Sequence, residues 1–108
     1  MVVMLLVAGG LAIGQPNYCD YSSSTGWNCS CPGGGNCYGT NVPEGDYIWG
    51  TDSSEKIYGL KGDDVLHGYG GNDTVVGGPG ADEVDGGAGS DVCDVDADDY
   101  YYGCEQLR

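Results

Sequence analysis

The sequence has no phenylalanine and very few basic residues. Of its 108 residues only three are Lys or Arg, against 17 Asp or Glu, and the formal net charge at pH 7 is −14. Without a Lys/Arg patch to contact phosphates, nucleic-acid binding and attraction to anionic lipid are disfavoured. A chain this short and this poor in large apolar side chains builds a thin core, so metal ions or disulfides are expected to stabilise the fold.

No apolar run is long enough to cross a bilayer, which takes about 20 residues. The opening run, residues 2–14, is similar to the apolar region of a signal peptide, with the small residues Ala12 and Gly14 before a cleavage at Gln15. Residues 1–14 are therefore expected to be a signal-peptide-like segment, and the mature chain to begin near Gln15. The competing interpretation is a short buried apolar segment of the mature fold.

The same nine-residue unit occurs six times between residues 41 and 94. In order, the units are NVPEGDYIW, GTDSSEKIY, GLKGDDVLH, GYGGNDTVV, GGPGADEVD and GGAGSDVCD. The sixth position is acidic in every unit: Asp46, Glu55, Asp64, Asp73, Asp82 and Asp91. The eighth position is always apolar or cysteine: Ile48, Ile57, Leu66, Val75, Val84 and Cys93. A period held over half of the chain indicates a repetitive fold.

Each unit is predicted to consist of a six-residue turn and a three-residue strand. Side chains alternate along a strand, so only the eighth position points into a core. Consecutive units then lie on opposite walls of a flattened coil, and each wall is a short parallel sheet. One wall is predicted to contain 47–49, 65–67 and 83–85, and the other 56–58, 74–76 and 92–94.

Stacking of the turns creates an electrostatic problem. Loops two units apart lie on the same side, which brings Asp64 next to Asp82 and Asp73 next to Asp91. Two carboxylates about 4 Å apart repel by roughly 4 kcal/mol at an effective dielectric constant near 20. A divalent cation between the loops reverses the sign of this interaction. Calcium suits such a site because it accepts carboxylate and carbonyl oxygens in flexible geometry, whereas magnesium requires near-ideal octahedral geometry.

The spacing G-G-x-G-x-D-x-U-x, with U apolar, resembles the RTX (hemolysin-type) calcium-binding repeat of secreted bacterial proteins. The unit GGPGADEVD matches every defined position, and GGAGSDVCD departs only at Cys93. The resemblance implies an all-β fold, a right-handed parallel β-roll of about six nine-residue turns. It also implies that calcium lies between loops two units apart. The implied ligands are the side chains of Asp64, Asp73, Asp82 and Asp91 and the carbonyls of Leu60, Gly62, Tyr69, Gly71, Gly78, Gly80, Gly87 and Gly89.

The first two units depart from the family pattern. Glu44 and Ser53 replace the glycine at the fourth position. Asp46 and Glu55 extend the implied ligand set through these altered loops, so that two to four sites are expected. The competing interpretation of the whole region is an acidic, disordered linker with tight turns. A hydrophobic position recurring every nine residues argues against that interpretation in the presence of calcium.

Six cysteines in a short exported chain indicate disulfides. Cys19, Cys29, Cys31 and Cys37 lie in a Ser/Gly/Asn-rich stretch, residues 15–40, which is predicted to be a loop-rich module. Cys19 and Cys37 are each expected to pair with Cys29 or Cys31, and a zinc site formed by the same four thiols is the alternative.

Cys93 and Cys104 are expected to form a second disulfide group. A bridge between them would contribute about 3 kcal/mol. It would fasten the C-terminal cap, residues 95–108, over the open end of the coil, with Tyr100–Tyr102 packed in the cap. The GCE of this tail also resembles the ending of secreted repeat proteins of this class.

His67 is the one histidine of the sequence and shares an outer column with Trp49 and Asp85. A contact between His67 and Asp85 is expected as a solvent-facing pair, because no nucleophile accompanies it in a recognisable catalytic arrangement. We therefore expect no enzymatic activity. Tyr47, Trp49 and Tyr58 offer a surface for a carbohydrate or protein partner, or serve only in strand packing.

These inferences predict a secreted, extracellular calcium-binding module that folds on binding calcium. Its expected role is structural or adhesive, with extracellular matrix, carbohydrate or another protein as its partner. One alternative is the C-terminal repeat region of a larger exported protease or lipase. Another is a self-assembling surface or filament protein.

Overall fold

The computed structural model describes residues 20–22, 26–31, 33–40 and 42–108. All regular structure in these residues is β, and they contain no helix that could span a membrane. The predicted signal-peptide-like segment and Cys19 lie outside them. The strands are β1 (Asp20–Ser22), β2 (Gly26–Ser30), β3 (Asn36–Tyr38), β4 (Asp46–Trp49), β5 (Lys56–Tyr58), β6 (Val65–His67), β7 (Thr74–Val76), β8 (Glu83–Asp85), β9 (Val92–Asp94), β10 (Tyr100–Tyr102) and β11 (Gln106–Leu107).

The strands form two sheets that are the two walls of a flattened solenoid. Neighbouring strands follow the order β10-β8-β6-β4-β2-β1 in one sheet and β11-β9-β7-β5-β3 in the other. All neighbours are parallel except β1 and β2, which are antiparallel. Successive nine-residue units therefore alternate between the walls, and both predicted sets of strands are confirmed.

The eighth position of each unit forms the core. In one wall Ile48 pairs with Leu66 and Leu66 with Val84, while in the other Ile57 pairs with Val75 and Val75 with Cys93. All six side chains are fully buried, whereas the seventh and ninth positions beside them are partly or fully exposed. The core of the repeats is thus a narrow stack of five aliphatic side chains and Cys93, contributed by both walls, as the alternation along each strand requires.

The predicted count of about six turns is corrected by the structure. One nine-residue unit crosses only one wall, so two units are needed to return the chain to the same wall. The strands of a wall accordingly pair at a separation of 18 residues, as Leu66 does with Val84. The solenoid has about four turns.

Residues 26–38 extend both walls on the N-terminal side, where the sequence predicts only loops. Strand β2 pairs with β4 and β3 pairs with β5, which sets Cys29 beside Ile48 and Cys37 beside Ile57. The cysteines take the inward core position, so the aliphatic period is absent although the strands continue. Cys31 is bonded to Cys37, and Cys29 is also in a disulfide, which rules out a zinc site on these thiols.

The C-terminal tail also continues the solenoid. Strand β10 pairs with β8, β11 pairs with β9, and the predicted Cys93–Cys104 disulfide is present. The sequence predicts a tail that covers the end of the coil with packed tyrosines, but Tyr100–Tyr102 and Leu107 are exposed. The reason is that β10 and β11 are the outermost strands of their sheets, so no further winding in the described residues lies over them.

Candidate metal sites between the loops

The acidic side chains at the sixth position are buried inside the solenoid. All six are at most 2 % exposed, which is rare for carboxylates without a cationic partner. The sequence places these side chains in the turns but carries no signal of their burial. Each one directly precedes or begins a strand, so it lies at the point where the chain turns from the loop into a wall. The members of this buried column are Asp46, Glu55, Asp64, Asp73, Asp82 and Asp91.

Hydrogen bonds connect the buried acids along the solenoid axis. The backbone N–H of Asp64 donates to Oδ1 of Asp82 at 2.8 Å, and that of Asp73 donates to Oδ1 of Asp91 at 2.7 Å. The N–H groups of Asp46 and Glu55 donate in the same way to the acids two units further on. Each bond joins residues 18 apart, so the predicted neighbours Asp64–Asp82 and Asp73–Asp91 lie together. In the four later acids, Asp64, Asp73, Asp82 and Asp91, one carboxylate oxygen is satisfied by this ladder.

The second carboxylate oxygen is left without a partner in four of the acids. Oδ2 of Asp64, Asp73, Asp82 and Asp91 is buried and accepts no hydrogen bond from any described residue. An unsatisfied buried oxygen costs roughly 1–3 kcal/mol, and more when the group is charged. Four such atoms at the same position of successive units indicate a recurring ligand that the protein itself does not supply.

Burial also makes ionisation of these acids unfavourable. It raises the pKa of Asp64 from 3.8 to about 7, and the neighbouring charges of Asp82 and Asp46 act in the same direction against the ladder hydrogen bond. Burial likewise raises the pKa values of Asp73 and Asp82 to about 6. The pKa of Asp91 is raised for the same reason. A cation beside these groups would remove the penalty, because it stabilises the charged form.

A main-chain oxygen lies beside the orphaned carboxylate oxygens of Asp64, Asp73 and Asp91, around the first glycine of the unit. A methyl carbon placed on Gly59 would lie 2.5 Å from Oδ2 of Asp64 and 2.5 Å from the carbonyl oxygen of Gly77. The same construction on Gly68 meets Oδ2 of Asp73 and the carbonyl of Gly86, both at 2.5 Å. Only a glycine leaves this space free, so the first-position glycines keep an oxygen-lined gap open.

Four of the eight carbonyls predicted as ligands lie between stacked loops. The fourth-position carbonyls of Gly62 and Gly71 lie against Gly80 and Gly89 of the loops two units on. The second-position carbonyls of Leu60 and Tyr69 lie against Gly78 and Gly87 in the same way. All eight of these residues have positive φ, including the non-glycine residues Leu60 (74°) and Tyr69 (72°). This shared backbone arranges the four loops in two stacks of two similar, closely approaching bends, one stack on each side of the coil.

Comparison with known families identifies this arrangement. The sequence model described as the RTX calcium-binding nonapeptide repeat, which spans four copies, matches residues 49–84 and 67–102. The two matches together cover half of the chain. The chain belongs to the RTX calcium-binding nonapeptide repeat family. Comparisons with curated proteins and with solved structures gave no significant match.

The oxygen-rich RTX stack fits calcium. Its donor set combines one free carboxylate oxygen in each of the four later units with main-chain carbonyls. This is the hard, all-oxygen environment that calcium accepts in variable geometry. Within the part of the chain that the structure describes, no three His, Cys, Asp or Glu side chains cluster so that they could hold a metal ion by themselves, so main-chain carbonyls would have to complete the site. A calcium ion would supply the positive charge that these buried carboxylates lack. The assignment of individual ligands stays a prediction.

The two earliest RTX units differ from the four later ones. The second oxygen of Asp46 accepts hydrogen bonds from the backbone N–H and hydroxyl of Thr40. The carboxylate of Glu55 accepts from the backbone N–H and hydroxyl of Thr51, and from the N–H of Gly34. Protein groups therefore satisfy these two carboxylates where the later aspartates keep one free oxygen. Asp46 and Glu55 remain predicted ligands, but a cation would stabilise them less because protein hydrogen bonds already satisfy their carboxylates.

Two acidic residues in the tail of this RTX chain were missed by the nine-residue pattern. Oδ1 of Asp99 accepts the N–H of Asp82 at 2.9 Å, and Oε1 of Glu105 accepts the N–H of Asp91 at 2.8 Å. They occupy the same place on the ladder as the sixth position of a repeat, at separations of 17 and 14 residues instead of 18. The shortened loops hid them, although the acids themselves directly precede the last two strands.

The outer faces of the RTX coil carry the remaining predicted groups. Nδ1 of His67 lies 3.3 Å from Oδ2 of Asp85, in a pair about a quarter exposed, and Trp49 is in register on the other side of His67. The predicted contact is therefore present. The ring of Tyr58 stacks on that of Tyr38 with centroids 5.1 Å apart on the opposite wall.

Proposed function

We propose that the chain is an exported, non-enzymatic calcium-binding module that folds when calcium binds and then acts as a structural or adhesive extracellular protein. The observation that carries this proposal is the row of four buried aspartate oxygens without a hydrogen-bond partner among the described residues. A chain with so thin a core and so many buried negative charges requires a counter-charge to be stable. Calcium binding adds RT ln(1 + [Ca]/Kd) of stability per site when only the folded state binds.

Export is supported by the redox chemistry of the cysteines. The described residues contain no free thiol, and disulfides persist in oxidising compartments outside the cytosol. Extracellular calcium modules commonly bind the ion with a Kd of about 10⁻⁴–10⁻³ M. Such affinities leave the chain unfolded in a calcium-poor cytosol and fold it outside.

The folded surface suits contact with other extracellular molecules. The formal charge of −14 is spread over a rigid two-walled coil whose outer faces carry aromatic side chains, including the stacked Tyr38–Tyr58 and Tyr47–Trp49 pairs. Extracellular matrix, carbohydrate or another protein is the partner class that we propose.

The direct test is circular dichroism during a calcium titration of the oxidised chain. We expect little strand signal in excess chelator and a cooperative gain on addition of calcium, with magnesium at the same concentration producing a much smaller gain. A strand signal that is already complete in chelator would count against the proposal.

Self-association is a second candidate function, favoured by the end of the solenoid. Strands β10 and β11 are the last strands of both sheets, and Tyr100 and Leu107 next to their outer edges are 69 % and 49 % exposed. Open strand edges with exposed apolar side chains favour pairing with another chain. Light scattering with and without calcium separates the candidates, because an adhesive monomer keeps its mass on folding and a filament-forming chain does not.

The other alternative is that these repeats belong to a larger exported protease or lipase. It predicts the same calcium-dependent folding as the proposed module. A catalytic domain in the same reading frame upstream of Met1 would distinguish it.

A further inference from the structure

The column of buried acids does not end with the last nine-residue unit. Asp82 and Asp91 are the last two sixth-position acids of the repeats, and the loops that would stack on them belong to the tail. The tail is not built of nine-residue units, yet the chain positions an acid beside each of them. We propose that Asp99 and Glu105 complete two additional calcium sites, one with Asp82 and one with Asp91. This inference rests on the proposed calcium-dependent function.

Main-chain hydrogen bonds place the tail acids at the same backbone position as the repeat acids, although Asp99 is only partly buried and Glu105 is exposed. Within the repeats, the residue after an upper acid donates its N–H to the carbonyl of the lower acid, as Glu83 does to Asp64 at 2.7 Å. In the tail, Tyr100 donates to the carbonyl of Asp82 at 2.8 Å, and Gln106 donates to that of Asp91 at 3.0 Å. The residues that precede these donors are Asp99 and Glu105, which therefore occupy the ladder position.

The first tail site has two carboxylates around one gap. Oδ2 of Asp82 is buried and has no hydrogen-bond partner among the described residues. A methyl carbon on Gly77 would lie 2.6 Å from this oxygen and 3.2 Å from Oδ2 of Asp99. In the repeats the corresponding gap is shared by one carboxylate and one carbonyl. Oδ2 of Asp99 also accepts the N–H of Asp96 at 2.8 Å. The two carboxylates still repel each other, and a cation between them would turn this repulsion into attraction.

The second tail site is formed around Asp91. Its side chain is fully buried, and its Oδ2 is the fourth of the oxygens that lack a partner in the described part of the chain. The carbonyl oxygen of Gly103 lies against Gly86, where Oδ2 of Asp91 is 3.1 Å from the same methyl position. Gly103 thus takes the place that Gly77 and Gly86 have in the repeats. A cavity of about 240 Å³, lined in part by Asp91 and Glu105, adjoins the site.

The Cys93–Cys104 disulfide positions the second site. Cys93 is on the inward position of β9, and Cys104 directly precedes Glu105. The shortened loop has only Gly103 and Cys104 between β10 and Glu105, where a repeat has five residues before its acid. The bridge holds this short connection against the core, and Glu105 is thereby fixed over Asp91.

The test counts bound ions in the full oxidised chain by native mass spectrometry at the lowest calcium concentration that saturates it. We expect Asp99→Asn and Glu105→Gln each to remove one ion and the double variant to remove two, because the amide keeps the ladder acceptor but loses the charge. The matched control is Asp98→Asn, an exposed acid of the same tail, which should leave the count unchanged. A double variant that binds as many ions as the unsubstituted chain overturns the inference.

The variants also separate this inference from the proposed function. If Asp64→Asn lowers the ion count while the tail variants do not, calcium binding by the repeats stands and the tail sites fail. If the unsubstituted chain binds no calcium, the proposed function itself fails.

Terbium luminescence provides a second measurement that depends on location. Tyrosine sensitises emission only from a nearby terbium ion, and Tyr100 directly follows Asp99. With circular dichroism showing equal strand content, Asp99→Asn should lower the tyrosine-sensitised emission relative to Asp98→Asn. Equal emission from the two variants contradicts the first tail site.

Discussion

A buried aspartate with one free oxygen has opposite effects on stability with and without a cation. Without one, the side chain carries an unfavourable charge in the interior, which is why burial raises its pKa. With one, the same charge becomes the main attraction that joins two loops. Individual substitutions in this column are therefore expected to change sign with the calcium concentration, which a merely structural acid would not do.

Asp73→Asn isolates this effect. The amide oxygen can still accept the N–H of Glu55, but the negative charge is gone. In chelator we expect the free energy of unfolding to rise by roughly 1–3 kcal/mol, since a pKa unit corresponds to about 1.4 kcal/mol. In saturating calcium we expect it to fall, because an ion is bound more weakly or lost. Denaturant titrations under both conditions measure the change, and Glu44→Gln, an exposed acid of the first unit, is the control. The same sign in both conditions would contradict the role of Asp73.

Protonation of the buried aspartates at low pH should partly replace calcium in stabilising the fold. The pKa of Asp64 is about 7 and those of Asp73 and Asp82 are about 6 in the folded chain, against 3.8 for an ordinary aspartate. The folded state therefore binds more protons than the unfolded state, so the resulting stabilisation is complete below about pH 4 and is lost as the pH rises through 6 to 7. In chelator, the strand signal in circular dichroism should grow as the pH falls from 7.5 to 5. A calcium-free chain that loses strand signal over that range would contradict the raised pKa values.

Loops that are two units apart stack with their backbones in close contact. This contact is a property of the loop backbone and does not depend on any single ligand residue. The first glycine of a unit lies against the carbonyl of the first glycine two units later, whereas the second and fourth residues lie against the carbonyls of the corresponding residues two units earlier. Strand geometry fixes this separation, because the walls are hydrogen-bonded sheets with neighbouring strands about 4.8 Å apart. Side-chain atoms added between the layers must therefore displace a loop.

Gly68→Ala tests that requirement. Its added carbon would lie 2.5 Å from both Oδ2 of Asp73 and the carbonyl oxygen of Gly86, which fills the oxygen-lined gap. We expect a loss of roughly 1–3 kcal/mol in the free energy of unfolding, together with weaker calcium binding. Gly33→Ala is the matched control, because its added carbon meets nothing closer than 3.4 Å, at the hydroxyl of Ser53. Equal behaviour of the two variants in thermal unfolding would show that the gap is not needed.

The part of the fold that could be predicted is the part that keeps its period. The recurrence of Ile48, Leu66 and Val84 at intervals of 18 residues is enough to assign these strands to one wall. Strands β2 and β3 escaped prediction because Cys29 and Cys37 occupy core positions that elsewhere hold aliphatic side chains. The pattern alone had to miss them, since cysteines in a glycine-rich stretch carry no strand signal.

The candidate sites also have features that could be predicted from the sequence and features that could not. The sixth-position acids and their pairing at two units could be read from spacing and charge. Their complete burial, the backbone ladder and the unpartnered oxygens depend on how the loop enters the strand, which a sequence period does not describe. Asp99 and Glu105 were hidden because the loops that precede them are shorter than a repeat loop by one and by three residues.

Considered as one body, the folded solenoid measures 43 × 27 × 21 Å and has a Cα radius of gyration of 13.5 Å. An unfolded chain of about this length has a radius of gyration near 30 Å. Small-angle scattering should therefore show a contraction of roughly twofold when calcium is added to the chelated, oxidised chain at neutral pH. The four-fold variant of Asp64, Asp73, Asp82 and Asp91 to Asn should lose the calcium-driven contraction. A compact chain in chelator at neutral pH would refute the dependence of the fold on the ion.

The alternation of units between two walls gives the coil a parity. Deleting one nine-residue unit would transfer every later strand to the opposite wall, so that β8, with Glu83 and Asp85, would join the wall of Lys56 and Tyr58. Deleting two units would leave every remaining strand on its own wall and keep all acids paired with acids. Changes of length that preserve both outer surfaces must therefore come in steps of 18 residues. A solenoid of this kind can therefore gain or lose nine-residue units only in pairs.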